Sequence, residues 1–374
     1  MENNFVEENT IRSNILIVNA LAKDRGHLIN DDFFLAECLS PFASEIEVRS
    51  SSTSVENIRK RLSIRAIPIR RFGFLRRLPR IQYILRLLTV RCSGYQDIFM
   101  PAFEEVSVLI FMLLHPRKKL HLIYHNNLSI ERRNKHPFLW TLFSKMVAVR
   151  AASLLVPSRH QADCIKDIYP QIDLNKIFIR PLDQIARPFS RLTWKERSQT
   201  IFFLGPLSIH KSIEPLINLI KKDKEQCYHY VLRQIDNIDP KVRIYLDAQP
   251  NVDMASGFLD TNEYDRFFRE ASWIILTHNL LFEGKLSGIF CDAIAAGTPL
   301  IAYNMAPHDE FFERFGDMGL LVDYNDPQWC EQFITTDFSS KQDEFQSNMA
   351  DFRKSCAIDA IRNVYRAALE RLNS

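Results

Sequence analysis

Residues 273–303, WIILTHNLLFEGKLSGIFCDAIAAGTPLIAY, constrain the fold of this chain more than any other stretch. Trp273 to Thr277 is a short apolar run, the pattern of a strand covered on both faces. A polar loop follows, holding His278, Asn279, Glu283 and Lys285. Ser287-Gly288 then opens a helix bearing Ile289, Phe290, Ala293, Ile294 and Ala296. Gly297 is suited to stop that helix and Pro299 forbids its continuation. Leu300 to Tyr303 reads as the next strand. A helix that begins just past the C-terminal end of a strand aims unbonded N–H groups and a positive dipole end into the crevice there. Such a spot is disposed to bind phosphate. Asp292, one turn in, is placed to accept from a neighbouring sugar hydroxyl.

The same alternation runs through the whole chain. At 374 residues the chain exceeds one ordinary core, so two domains are expected. In the first half, strands are expected at Asn14 to Asn19, Ile46 to Arg49, Asp97 to Phe103, Leu120 to Tyr124 and Leu154 to Val156, and Lys176 to Arg180 closes the half. Helices are expected at Asp31 to Leu39, Glu104 to Leu114, Phe138 to Ala152 and after Ser158 as N-cap. Residues 183–198 read as a linker. The second half repeats the pattern from Thr200 to Leu204 onward, through Tyr228 to Arg233, Val252 to Met254 and Leu320 to Val322. It ends in a long amphipathic helix from Ser355 to Leu372. The fold class is α/β, with two Rossmann-like, doubly wound domains facing each other across a cleft. The expected divisions are 1–185, 199–354, and a C-terminal helix, 355–374, that packs back towards the first domain.

Charge is unevenly spread. Residues 1–190 hold 28 Lys and Arg against 18 Asp and Glu, while residues 191–374 hold 20 against 27. Residues 57–92 contain eleven Lys and Arg and no acid, interleaved with Phe72, Phe74, Ile81, Tyr83, Ile84 and several leucines. Such a run is a solvated helical face, a contact for an anionic membrane surface, or an RNA contact. No RNA-module signature accompanies it, so a membrane partner is expected and nucleic acid is not. The seven cysteines show no paired metal spacing, which points to a reduced compartment. The acidic N-terminus has no apolar core, so no secretory signal is expected. The longest apolar run, Val106 to Leu114, falls short of the ~20 residues of a spanning helix. A cytoplasmic protein, peripheral at the inner face of a membrane, is the resulting expectation.

Three motifs in the second half, taken together, resemble the retaining glycosyltransferases of the GT-B fold, especially family four. Phe203-Leu204-Gly205-Pro206-Leu207 through Lys211 resembles the family's strand, glycine turn and phosphate-binding lysine. Ser256-Gly257-Phe258-Leu259, followed by Tyr264 and Phe268, resembles the segment lining the nucleotide base. Glu283 through Gly297-Thr298-Pro299 resembles the signature in which two acids flank a glycine-bearing helix start. The resemblance covers residues 200–302, in the family's order. The first half matches more loosely, through Gly26 in its first loop and His125 after a middle strand. Three departures stand out. Pro206 replaces the arginine usual after the glycine, Glu283 and Asp292 are nine positions apart rather than eight, and Lys285-Leu286-Ser287-Gly288 replaces a glycine-rich run.

The resemblance implies hexosyl transfer from a nucleotide-diphosphate sugar to a glycan or lipid-linked saccharide, with retention, in cell-surface polysaccharide or glycolipid assembly. The nucleotide sugar is a co-substrate, and neither a cofactor nor a metal is implied. Donor binding then falls to Gly26, Gly205, Lys211, Gly257, Leu259, Lys285, Ser287, Gly288, Ile289 and Asp292. Glu283 would bind the donor sugar and His125 would face the reacting centre. If the reaction inverts, a base is needed, and His27 and Asp31 are the acceptor-side candidates. Two other readings remain open: a sugar-nucleotide epimerase of the same fold, and a catalytically degenerate protein that binds a membrane or polyanion.

Overall fold

A computed structural model describes residues 12–22, 28–70, 78–124, 137–186, 189, 191–236, 238–257, 259–282 and 284–373, the side chains of 28–31, 137 and 307 excepted. The chain forms two units, Met1–Asp183 with Ile358–Ser374, and Gln184–Ala357.

The first unit is built on a parallel sheet of seven strands: β1 (Ser13–Val18), β2 (Ala43–Ser50), β3 (Arg65–Pro68), β4 (Asp97–Met100), β5 (Lys119–Ile123), β6 (Ala152–Val156) and β7 (Ile177–Ile179). The strand order is β3-β2-β1-β4-β5-β6-β7. Ile15, Leu16 and Ile17 are all fully buried, as a sheet covered on both faces requires. The crossovers carry α1 (Leu28–Leu39), α2 (Ser52–Arg61), α3 (Pro79–Leu88), α4 (Glu105–Leu114), α5 (Pro137–Val149) and α6 (Arg159–Ile168). Ser158 caps α6 by accepting from the Gln161 amide at 3.1 Å.

Two polar networks lie inside this unit. Asp97 accepts from Ser13 at 2.5 Å and lies 2.9 Å from His121 Nε2, while His121 Nδ1 lies 2.8 Å from Ser153. These four residues come from four adjacent strands, so the network ties their register. Asp32 in α1 is fully buried. It accepts from Asn19 at 2.8 Å, from Ser54 at 2.7 Å and from Ser50. Burial holds its carboxyl above the usual carboxylate range, against the opposing pull of those hydrogen bonds.

The basic stretch 57–92 is not one face. It ends α2, supplies edge strand β3 and forms α3, while residues 71–77 lie outside the described set. Several of its arginines are neutralised by acids distant in sequence. Arg65 meets Glu47 at 2.9 Å and Arg80 meets Glu104 at 2.9 Å. Arg59 and Arg86 are turned onto the carbonyls of Ala66 and Ala20.

The second unit has a six-stranded parallel sheet: β8 (Ser198–Leu204), β9 (His229–Arg233), β10 (Val252–Ala255), β11 (Ala271–Leu276), β12 (Leu300–Tyr303) and β13 (Gly319–Val322), in the order β10-β9-β8-β11-β12-β13. Its helices are α7 (Glu214–Lys222), α8 (Pro240–Asp247), α9 (Thr261–Glu270), α10 (Gly288–Ala296), α11 (Ala306–Phe315), α12 (Trp329–Thr335) and α13 (Gln342–Ser355). In α8 Leu246 is the buried residue. The helix expected from Ser355 is interrupted there. α13 ends at Ser355, where the Cys356 amide closes on Phe352 and Arg353, and α14 (Ile358–Asn373) begins after it. α14 belongs to the first unit. It buries Ile361, Tyr365, Ala368 and Leu369, with Tyr365 edge-on to Phe99 at 5.8 Å.

Candidate functional site

In the second unit the strand order reverses between β8 and β11, and a doubly wound sheet opens a crevice at the C-terminal ends of such a pair. The loop leaving β8 begins at Gly205. A Cβ there would collide with the backbone carbonyl of Gln234, so the close approach of the two chain segments demands glycine. The loop then turns tightly, with Ser208 and Lys211 exchanging backbone hydrogen bonds. It is also tied to the loop leaving β11. Lys211 bridges to His278, the Ser212 amide donates to Thr277 O at 3.2 Å, and the Asn279 amide donates to His210 O at 3.1 Å. The Asn279 side chain donates to Ile209 O at 2.7 Å.

These bonds gather basic side chains. Lys211 is only 5 % exposed, donates to the Leu204 carbonyl, and lies 4.7 Å over the Phe203 ring. Burial pushes its ammonium down to about 7. Lys285 Nζ lies 3.2 Å from His210 Nε2. His278 is buried and stacks on Phe282 with centroids 4.0 Å apart. Its Nδ1 has no hydrogen-bond partner among the described residues. Burial holds His278 well below the ordinary imidazole range, and Lys211, His308, His210 and Lys285 add repulsion in the same direction. His308 itself is pushed down to about 4 by burial, against the pull of a hydrogen bond to Tyr303 O.

α10 starts beside this cluster. Ser287 caps it by accepting from the Phe290 amide at 3.4 Å, and the first amides of the helix, those of Gly288 and Ile289, have no acceptor within the helix. Asp292 is 4 % exposed and accepts from the Tyr264 hydroxyl at 2.6 Å, which ties α9 to α10. Tyr264 in turn leans on Phe268 at 4.7 Å. Gly257, at the end of β10, has φ +93°, a conformation that favours glycine. Leu259 is half-buried just before Asp260, whose side chain caps α9 at 2.9 Å.

The structure thus brings Lys211 and Lys285 together around His278, beside the helix opened by Ser287, Gly288 and Ile289. Gly205, Gly257 and Leu259 lie at the same C-terminal edge of the sheet. Gly26, His27, His125 and Glu283 lie outside the described residues, and Asp31 lies in α1 with its side chain also outside them. His210 and His278 are the site residues that sequence reasoning passed over. Both flank motif positions, His210 beside Lys211 and His278 at the end of a predicted strand, and that adjacency was the available signal.

No protein-family model matches the sequence, and no curated protein matches it significantly by sequence. Solved structures do match. Anabaena HepE in complex with UDP-glucose aligns with a TM-score of 0.69 over 97% of this chain and 100% of that one, at 13% identity. A glycosyltransferase from Rickettsia africae gives 0.66 over 96% and 99%, at 14% identity. A Listeria monocytogenes protein provisionally assigned as a UDP-N-acetylglucosamine 2-epimerase gives 0.61 over 94% of each chain, at 11% identity. The fold is GT-B. The likeness spans nearly the whole chain, so both units take part in the GT-B match. No described helix is long and apolar enough to cross a membrane.

Proposed function

We propose that this chain transfers a hexosyl group from a nucleotide-diphosphate sugar to a glycan or lipid-linked saccharide, with retention. The observation that carries the reading is the grouping of Lys211, Lys285, His210 and His278 at the start of α10, where β8 and β11 part. A departing nucleoside diphosphate needs cations and oriented amides at that position. Lys285 fills the role left open by Pro206, Lys211 supplies a second charge, and the Gly288 and Ile289 amides meet the distal phosphate. Asp292, held by Tyr264, takes a ribose hydroxyl. Glu283 and His125 serve the donor sugar and the reacting centre. These charges come from side chains, so the reaction proceeds without a divalent metal and activity survives chelation. Loss of activity in EDTA, restored by magnesium or manganese, would contradict this.

HepE, a protein of the same fold, is solved with UDP and with UDP-glucose, which supports a uridine nucleotide as the first donor to try. A screen of nucleotide sugars for thermal stabilisation tests the reading. Ligand at 100 times Kd adds about 2.7 kcal/mol. No shift with any nucleotide or nucleotide sugar refutes it. The anomeric configuration of the product then separates retention from inversion.

The Listeria structure favours one alternative, epimerisation of the sugar nucleotide, which requires no acceptor. Release of an isomerised sugar nucleotide without any acceptor would establish it. Exposed apolar side chains on the first unit support a membrane-facing acceptor. Ile81 and Leu88 on α3, Leu113 and Leu114 on α4, and Phe138 and Val149 on α5 stand in solvent, the last two about three-quarters exposed. α3 packs on α4 and α4 on α5, so these residues share one helical layer with exposed Arg91, Arg117 and Lys145 nearby in sequence. Arginines with apolar neighbours suit an anionic lipid surface. The protein then works at the cytoplasmic face of a membrane, as a peripheral enzyme of polysaccharide or glycolipid assembly.

A further inference from the structure

The far end of α10 is held in an unusual way. Every residue from Phe290 to Ala296 is buried, so the final carbonyls of this helix cannot turn to bulk water. Gly297, at φ +70°, makes an ordinary left-handed stop. Around that stop, side chains take the carbonyls one by one. Arg353 Nη1 donates to Ile294 O at 2.8 Å, and Arg191 Nε donates to Ala295 O at 3.2 Å. Arg197 Nη2 donates to Ala296 O at 3.2 Å and Gly297 O at 3.0 Å, and Gln346 Nε2 donates to Gly297 O at 2.5 Å. Arg197 Nη1 continues to Ala271 O at 3.0 Å and Thr298 Oγ1 at 2.7 Å, which fastens the helix end to the start of β11.

The charge balance is equally unusual. Arg197 is 7 % exposed. Burial pushes it down to about 10, with no carboxylate among the described residues offsetting the cost. Arg353 is pushed down to about 10 by burial and then by repulsion from Arg191. A buried cation without an acid is costly, and a glycine stop already ends the helix. What three guanidiniums add is a fixed axial position and a positive complement to the negative end of the helix dipole. The opposite end of the same rigid, nine-residue helix, about 13 Å away at 1.5 Å per residue, presents the Gly288 and Ile289 amides.

We propose that Arg197, Arg191 and Arg353 are positioning residues for the diphosphate: they set the place and polarity of α10 so that its first amides meet the phosphates. The inference rests on the donor-site reading above. None of the three contacts the ligand, and Asp292, on the same helix, is also held by Tyr264 from α9, so their removal should weaken binding of the phosphates more than binding of the base and ribose. A role in stability alone would weaken both equally or neither.

The test compares binding of a nucleoside diphosphate with that of its parent nucleoside. The pair is UDP and uridine, or GDP and guanosine if the wild-type protein prefers guanine. Calorimetry reads the diphosphate and ligand-detected NMR the nucleoside. Arg197→Met is expected to lose roughly tenfold in diphosphate affinity through displacement of α10, with a clearly smaller loss for the nucleoside. Arg197→Lys should recover part of the loss, since it keeps the charge but reaches fewer carbonyls. Arg353→Gln removes one carbonyl contact from a half-exposed side chain and should lose roughly threefold, which keeps the test open if Arg197→Met does not fold. Equal loss for diphosphate and nucleoside, or no loss for either, overturns the inference while leaving the donor site standing. A wild-type protein that binds no nucleoside diphosphate overturns the donor-site reading, and the inference with it.

Discussion

In the proposed donor site, burial of Lys211 predicts a pH dependence of definite sign. In the folded protein its ammonium is buried against a carbonyl and a phenyl ring, and burial pushes it from 10.5 down to about 7. A diphosphate beside it favours the charged form and raises that value in the complex. Binding therefore takes up a proton above pH 7, and affinity falls as pH rises. With a free-site pKa of about 7, affinity at pH 9 should be roughly 25-fold lower than at pH 7.5. In this window the terminal phosphate of UDP, with a pKa of about 6, is already ionised and contributes little. Isothermal calorimetry in two buffers of different ionisation enthalpy reads the proton uptake directly. Lys211→Arg stays protonated throughout and should bind with a nearly flat pH profile. Folding runs the opposite way. Between about 7 and 10.5 the unfolded chain binds more protons than the empty folded protein, so stability should rise with pH across that window. Removing the buried charge in Lys211→Met should stabilise the empty protein at pH 7, by an amount on the order of a few kcal/mol. Flat wild-type affinity from pH 7.5 to 9, with Lys211→Met binding UDP as well as wild type, refutes the reasoning.

Lys285 lies 3.2 Å from His210 within the basic group, so Lys285→Ala should lower kcat/KM roughly 10- to 100-fold, the scale of one charge-assisted contact, with Lys241→Ala as a control that stays near wild type in a transfer assay. Gly205→Ala drives a methyl group into the Gln234 backbone and should cost ~1–3 kcal/mol or more, read as a lowered Tm; an unchanged Tm would mean that the two loops separate easily. Binding to anionic liposomes should weaken with salt and with charge reversal at Arg76 and Arg77, and equal binding to neutral vesicles would remove the electrostatic account of membrane contact.

Much of this architecture is local, and local signals are visible in a sequence. The run from Trp273 to Tyr303 contains its own cap at Ser287, its own stop at Gly297 and an apolar strand on each side, so the unit around α10 was readable residue by residue. The same holds for Ser158 as a cap and for the apolar strands of both sheets. Where local signals were weak, elements were missed. α8 is short and fully buries only Leu246, so its signals, a cap at Asp239 and Val242, Tyr245 and Leu246 on one face, are easily overlooked. The stretch from Asn57 to Cys92 carries no acid of its own, and its partners were not legible for a related reason: Glu47 and Glu104 reach Arg65 and Arg80 only once the chain has folded.

The alternation of elements and the order of motifs made legible the fold class, the helix opened by Ser287 and the candidate groups Lys211, Lys285 and Asp292. Each of these depends on periodicity or on neighbours a few positions away. Tertiary structure decided what those groups face. It set His278 and His210 beside two lysines, turned Tyr264 onto Asp292, and brought Arg191, Arg197 and Arg353 to the far end of α10. Those partners lie between 28 and 104 residues apart in sequence where hydrogen bonds join them to the helix, and the Gly205 requirement arises from the backbone of Gln234 in a neighbouring crossover. The energy of a charge in a protein depends on what surrounds it in space, and a linear sequence does not specify those surroundings until the sheet has brought its strands together.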